Sequence, residues 1–285
     1  MIPAIALGAL AASVAMHVSW NLMARRADPR SLFLWWVALG GFLLIGPWSI
    51  AALIRQAQWS WQIGGLLALS CVAETLYFIA LGIAYRQAPV PLVYPIARSS
   101  PLLIALWMAL LFGERLPLLA WAGIAVSVAG VLALALTARG GEPARAVPWA
   151  ITAAVATSVY SIANKFAVGA LPSYSAILGW ASVTTAVAWI GLTLQHRRQT
   201  RRWIPPLRPP AWRWLIAGAF LANAYALVIF AMRYVPAAYA LAFANAGIVV
   251  AGLIAMTWFR EREHWRARLA AIAVIGIGLS LLAIG

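Results

Sequence analysis

Ionic chemistry is scarce in this sequence, and most of the residues able to do it in an unusual place lie inside long apolar runs. In "PLVYPIARSSP", residues 91–101, Arg98 stands between Pro95 and Pro101 within the apolar run 90–112. Glu74 lies near the middle of the run 63–85, and His17 lies in the run 2–24. A guanidinium is always cationic and presents donors in a fixed fork that fits a carboxylate or another anion. A buried carboxyl either meets a cation or holds a proton, and an imidazole exchanges protons near neutral pH. An ionisable group deep in an apolar helix costs about 2.5–3.5 kcal/mol or more unless it is paired or hydrated. Each of these residues therefore needs a partner, a solute or water.

The neighbours at helical spacing extend the set. Tyr94 shares a face with Arg98, and Tyr77 shares one with Glu74. Trp20 and Asn21 follow His17 by one turn. Two readings of Arg98 stand: it holds the anionic group of a solute, or it locks two helices as an ion pair. Glu74 has three: it pairs with Arg98, brackets a zwitterion with it, or carries a proton. His17 is a second proton-site candidate. A metal site is not expected, because His196 and His264 fall in polar stretches with no ligand spacing to His17.

The elements that position these residues follow from composition. The 285 residues are 65% hydrophobic and 9% charged, with a mean hydropathy of +0.89, whereas soluble chains carry about 25% charged residues. Lipid must be the solvent for most of the length. Ten runs approach the ~20 residues that a bilayer-crossing helix needs: 2–24, 32–54, 63–85, 90–112, 117–136, 147–169, 174–194, 214–233, 236–258 and 267–284. Helices are expected throughout, because hydrocarbon satisfies no open backbone group. The expected fold class is all-α, a polytopic membrane protein of ten transmembrane helices, with residues 2–24 as a retained first span. The polar stretch His196–Arg213, with its "PPLRPP", reads as a stiff connector. Cys71, the single cysteine, can form no internal disulfide and reads as packing. Trp59, Trp61, Trp212, Trp214 and Trp258 at span ends read as interfacial anchors. Lys165, near the end of span 6, reads as a snorkelling residue.

The net charge of +15 is unevenly placed. Arg25, Arg26, Arg30, Arg86, Arg139 and Arg145 follow spans 1, 3 and 5. Arg197, Arg198, Arg201, Arg202, Arg208 and Arg213 follow span 7, and Arg260, Arg262, Arg266 and Arg268 follow span 9. The opposite side holds only Arg55, Arg115 and Arg233. Since cytoplasmic loops attract basic residues, the odd-numbered loops are expected in the cytoplasm and both termini outside. That distribution suits anionic lipid headgroups, and no nucleic-acid-reading motif accompanies it. A preference for Ala and Arg, with one Lys, suggests a GC-rich bacterial genome and hence the inner membrane.

The chain also repeats itself. A shift of 143 carries Asn21, Ala24, Ala27 and Pro29 onto Asn164, Ala167, Ala170 and Pro172, and His17 onto Tyr160. A shift of 147 carries Ala84, Arg86 and Pro89 onto Ala231, Arg233 and Pro236, and Arg98 onto Asn245. It also carries Phe112, Glu114 and Arg115 onto Phe259, Glu261 and Arg262. Residues 1–140 and 141–285 thus read as two five-helix repeats. Five being odd, the second is inverted, the architecture in which transporters build a midplane site between copies. Asn245 becomes a candidate for the wall opposite Arg98, with Asn223, Tyr225 and Tyr239 behind it. Asn21 and Asn164 are candidates both for the site and for interhelical hydrogen bonds. Gly123 and Ser127, and Gly276 and Ser280, have the small-residue spacing that lets helices approach closely. Glu114 and Glu261 read as carboxylates at helix N-termini.

The stretches "HVSWN" (17–21) and "FGERLPLLAWAGIAVSVAGVLAL" (112–134), the latter echoed by "FREREHWRARLAAIAVIGIGLSLLAI" (259–284), resemble the ten-helix EamA-type branch of the drug/metabolite transporter superfamily. The resemblance spans the whole chain and implies a 5+5 helix fold, a central cavity and transport of small metabolites, amino-acid exporters being among its members. It points to a secondary transporter of a small polar metabolite working by alternating access, with protons as a candidate second cargo and the protein a monomer or weak homodimer. Two alternatives remain: efflux of organic cations as in the small multidrug branch, and a membrane-embedded assembly or sensor role. Members of that small multidrug branch place their key glutamate in the first helix, where this chain has His17. An enzyme is not expected. There is no H-E-x-x-H, no second carboxyl inside a span, and no acid near the Ser13–His17 pair to orient it. No phosphate-binding loop implies a nucleotide cofactor.

Overall fold

The computed structural model describes residues 2–25, 27–28, 31–88, 90–136, 142–257 and 265–284, and among these residues it contains helices and no strand. The helices are α1 (Ala4–Arg25), α2 (Phe33–Gln56), α3 (Trp61–Gln87), α4 (Val90–Ala97), α5 (Ser100–Phe112), α6 (Leu118–Ala135), α7 (Pro143–Ala167), α8 (Tyr174–Thr200), α9 (Ala211–Ala231), α10 (Ala237–Ala244), α11 (Ala246–Thr257) and α12 (Trp265–Ile284). Nine segments of the described residues are long and apolar enough to cross a membrane, and Ala237–Val250 forms a shorter apolar helical segment. The expected spans 4 and 9 are each divided, at Arg98–Ser99 and at Asn245. Pro29, Pro89, Phe259 and Glu261, the arginines at 26, 30, 139, 260 and 262, Trp258 and His264 lie outside the described residues.

The most extensive helix interfaces join one half of the chain to the other. α3 packs on α7 and α1 on α9; α2 packs on α9 and α3 on α8; α2 meets α8, and α6 meets α12. Exchanging the first helix of one half for the first of the other, and so on, maps this set onto itself. The halves are therefore intertwined about a pseudo-twofold axis rather than stacked as separate lobes. Cross-half hydrogen bonds show which loops share an end. Trp36 Nε1 donates to Leu207 O at 3.2 Å, and Glu142 N donates to Gln87 O at 2.7 Å. Both bonds lie at the arginine-rich end. At the other end Gln58 N donates to Ala170 O at 2.9 Å.

Close helix approach is built on missing side chains. A Cβ on Gly41 of α2 would sit 2.8 Å from the carbonyl oxygen of Gly218 on α9, and one on Gly218 would collide with the Gly41 nitrogen. Between α6 and α12, a Cβ on Gly123 would sit 2.8 Å from Gly278 O and 2.7 Å from Leu282 N. The expected partners Gly276 and Ser280 do not serve there. Gly276 has nothing within 4 Å and Ser280 is exposed. Gly278 is two residues, about 200°, further round the helix, and that is the face turned to α6.

Other sequence expectations are corrected by packing. Trp61 is 97% exposed and Trp59 and Trp212 are exposed, as anchors should be, but Trp214 is 4% exposed. It stacks on Trp36 with ring centroids 5.5 Å apart, inside an aromatic cluster at the arginine-rich end. Lys165 does not snorkel: its ammonium donates to Met232 O at 2.6 Å and Val235 O at 3.0 Å, tying α7 to the α9–α10 connection. Glu114 lies in the short connection ahead of α6, which starts at Leu118, and its N–H closes α5 on Met108 O at 3.0 Å. Burial raises the pKa of the Glu114 carboxyl, and the Lys165 charge opposes that rise. His196 is on α8, not in a loop, and is buried.

Overfilling a close-packed contact costs ~1–3 kcal/mol. Gly218→Val is expected to destabilise the protein by about that amount, with Gly64→Val, which faces open space, near neutral. Reversible unfolding in mixed micelles measures both.

Candidate functional site

The site starts from a backbone defect. Pro101 has no N–H, so Ala97 O loses its helical donor. Leu102 N turns to Ser99 O at 3.2 Å instead of reaching Arg98 O. The carbonyl of Arg98 is thereby released from the ladder between α4 and α5. It is taken up from the other half: Asn245 Nδ2 donates to Arg98 O at 2.9 Å. Asn245 is itself 1% exposed and sits at the break between α10 and α11, where Ile248 N steps back to Asn245 O at 2.8 Å. The two broken helices thus meet at their breaks, at positions related by the internal repeat.

The Arg98 side chain leaves this crossing toward α1. Its Nη2 donates to His17 Nε2. A guanidinium only donates, so His17 must accept, which places the imidazole proton on Nδ1. The guanidinium carbon lies 5.0 Å from the centroid of the Tyr94 ring, and the ring of His17 stands edge-on to Trp20 at 5.3 Å. Arg98 Nε is buried without a partner. This is a cation held in place with donor capacity to spare.

Glu74 does not pair with Arg98. It is 5% exposed; one oxygen accepts from Thr185 Oγ1 at 3.1 Å, and the other is buried with no partner. Between the two charges run phenols. Tyr77 and Tyr160 are 6.0 Å apart, Tyr160 and Tyr225 5.7 Å, each pair edge-to-face. Tyr77 and Tyr160 lie within electrostatic reach of both Arg98 and Glu74.

The repeat-related asparagines diverge. Asn164, fully buried, joins four helices: Oδ1 accepts from Ser70 Oγ at 2.7 Å on α3 and from Trp180 Nε1 at 2.8 Å on α8, while Nδ2 donates to Tyr225 Oη on α9. Asn21 Nδ2 donates only to His17 O of its own helix, at 2.7 Å. Among the described residues it makes no bond between helices. Tyr239 is buried, and Asn223 accepts from Tyr174 Oη at 3.0 Å, away from the arginine.

The structure therefore brings together Arg98, His17, Trp20 and Tyr94 as one group with Asn245, and Glu74, Tyr77 and Asn164 as a neighbouring one bridged by Tyr160. Sequence reasoning missed Thr185, Ser70 and Trp180. Ser70 was legible, being one turn before Glu74 on the same face; "TT" at 184–185 was the only mark of Thr185.

A family model described as the EamA-like transporter family matches the chain twice, over residues 1–136 and 144–284. The chain belongs to the EamA-like transporter family. It is thus a multi-pass membrane protein and a transporter of small solutes, in a family of transporters rather than enzymes. A crystal structure of another protein aligns over 98% of this chain and 96% of its own, with 21% identity and a TM-score of 0.73, a likeness of fold. No curated protein matches. The EamA-like fold accounts for the halves, and the polar groups sit on helices that the two-fold relates: α1 with α7, α3 with α9, and α4 and α5 with α10 and α11.

Removing a membrane-buried hydrogen bond costs about 0.6–2 kcal/mol. Asn164→Ala, which breaks three such bonds, is expected to lower unfolding stability by ~1–3 kcal/mol and Asn21→Ala by less than ~0.6 kcal/mol. Unfolding in mixed micelles separates the two.

Proposed function

We propose that the protein is a secondary transporter that exports a small polar metabolite, an amino acid or a related zwitterion or organic anion, by alternating access between its two intertwined halves. The observation that carries this reading is Arg98: a half-buried cation at the crossing of two broken helices, braced by His17 and Tyr94, with Nε left unpartnered. A solute carboxylate is the natural acceptor for that fork. In this reading the aromatic faces of Tyr77, Tyr94 and Trp20 and the amide of Asn21 surround the remainder of the solute, with the buried, hydrogen-bonded Asn164 and Asn245 bracing the wall behind them. The arginine-rich end faces the cytoplasm and both termini face outward, as the charge bias favours, in a bacterial inner membrane.

Alternating access suits the geometry because the halves meet along long helix–helix interfaces, and the breaks at Arg98 and Asn245 are places where two helices could bend. No residue of the site fixes direction. Export follows from the resemblance to amino-acid exporters.

The test is flux in proteoliposomes with radiolabelled amino acids, dicarboxylates and quaternary ammonium ions. Wild-type protein is expected to move the first or second class. A hydrogen bond to a charged group is worth ~1.5–3 kcal/mol, so Arg98→Ala should slow that flux about 10- to 100-fold, and Arg98→Lys should rescue it only in part, because an ammonium lacks the planar fork. Flux confined to quaternary ammonium ions and indifferent to Arg98 would contradict the reading.

A further inference from the structure

Glu74 is the one acidic side chain found inside a membrane-crossing helix among the described residues, and its surroundings do not suit an anion. α3 packs on α4, α7 and α8. The groups near its carboxyl from these elements and from α9 are Tyr160, the Thr184–Thr185 pair and Tyr225, with Cys71 and Tyr77 on α3 itself. None of them is a cation. Tyr94 of α4 and Arg98 at the break that follows it reach Tyr77 but form no hydrogen bond with the carboxyl, and the guanidinium is engaged with His17. One donor within hydrogen-bond distance, Thr185 Oγ1, serves a group with two oxygens; Thr184 Oγ1 lies close by but donates to Ala181 O at 3.1 Å, and Oε2 is buried without a partner. An ionised carboxylate would carry a full charge on one hydrogen bond in hydrocarbon. A neutral acid needs far less, because a buried charge is the expensive species.

We propose that Glu74 is a proton-binding site that couples solute movement to a proton gradient. In the conformation described, Oε2 carries the proton. When the halves move and water reaches Tyr77 and Tyr160, the acid gives its proton to water, and the carboxylate keeps the Thr185 bond. The anion and the Arg98 guanidinium then bracket a zwitterion, with its ammonium toward Glu74 and its carboxylate toward Arg98. Protonation from the opposite side removes one pole and expels the solute. Proton and solute therefore compete for the same site and exchange in opposite directions, one for one. The coupling rests on the transport reading above; the proton site does not.

Two measurements on the full chain in liposomes separate these. The first is infrared difference spectroscopy against pH, in water and heavy water. The sequence holds only six carboxylic side chains, so the protonated C=O stretch is assignable. The expected result is a protonated-carboxyl band at neutral pH that Glu74→Gln abolishes. Thr185→Val, which strips the anion of its donor, should make that band persist to higher pH. Absence of any band sensitive to Glu74→Gln at neutral pH overturns the proton site. The second is uptake of a radiolabelled amino-acid mixture. A tenfold proton gradient sustains at most about tenfold accumulation in one-for-one exchange. Wild-type protein should approach it; Glu74→Gln, which permanently lacks the anionic pole, should lose the accumulation and show weakened solute-for-solute counterflow whose rate no longer depends on pH. Full gradient-driven accumulation by Glu74→Gln overturns the coupling. Failure of wild-type counterflow with every amino acid overturns the substrate reading, and the infrared result still decides the proton.

Discussion

One hydrogen bond organises the centre of this molecule: the Asn245 amide donating to the backbone carbonyl of Arg98. Hydrocarbon offers no partner to a carbonyl freed from its helix, so a break at membrane depth survives only where protein or water answers it. The tightened turn at Arg98–Ser99 ahead of Pro101 opens the Arg98 carbonyl in one half, and an asparagine at the matching position of the other half closes it. Broken helices in transporters can stand where they line a site. Here the break also turns the Arg98 side chain out of the α4–α5 line and toward His17.

The same two-fold logic explains why the site is lopsided. The scaffold is shared: α1 and α7, α3 and α9, and the two divided helices are related pairs. The charges are not. His17, Glu74 and Arg98 all belong to the first half, while Tyr160, Asn164, Tyr225 and Asn245 at the facing positions are neutral. The second half supplies donors and rings, and the first supplies ionic chemistry. The frame is symmetric and its lining is not, so the charged groups all stand on one side of the pseudo-twofold axis.

Much of the frame was legible in one dimension. Apolar runs mark the helices because lipid imposes their length, and the spacing from Asn21 to Asn164 marks the repeat because both asparagines sit on the first helix of their half. The break after Arg98 was written in Pro95 and Pro101. Its counterpart was not: "AFANAGI" contains no proline, and Asn245 yields only through a tightened turn. Partners across helices were beyond a pattern that gives a face and not the neighbour. Thus Glu74 was visible but its bond to Thr185 was not, and Gly123 was visible while its contact fell on Gly278 instead of Gly276. Lys165 was misjudged for the same reason, since the carbonyls of Met232 and Val235 that hold it are distant in sequence.

The proposed alternating access requires that the Arg98 crossing be reached by water from each side in turn. The sole cysteine, Cys71, makes that directly measurable. In a Cys71→Ala background, Ser99→Cys places a thiol beside Arg98 while keeping the guanidinium, and membrane-impermeant thiol reagents can be applied from either face of sealed vesicles. The account predicts modification from both faces, slowed by a transported solute. A thiol that stays unmodified from both faces, in folded protein, would contradict it.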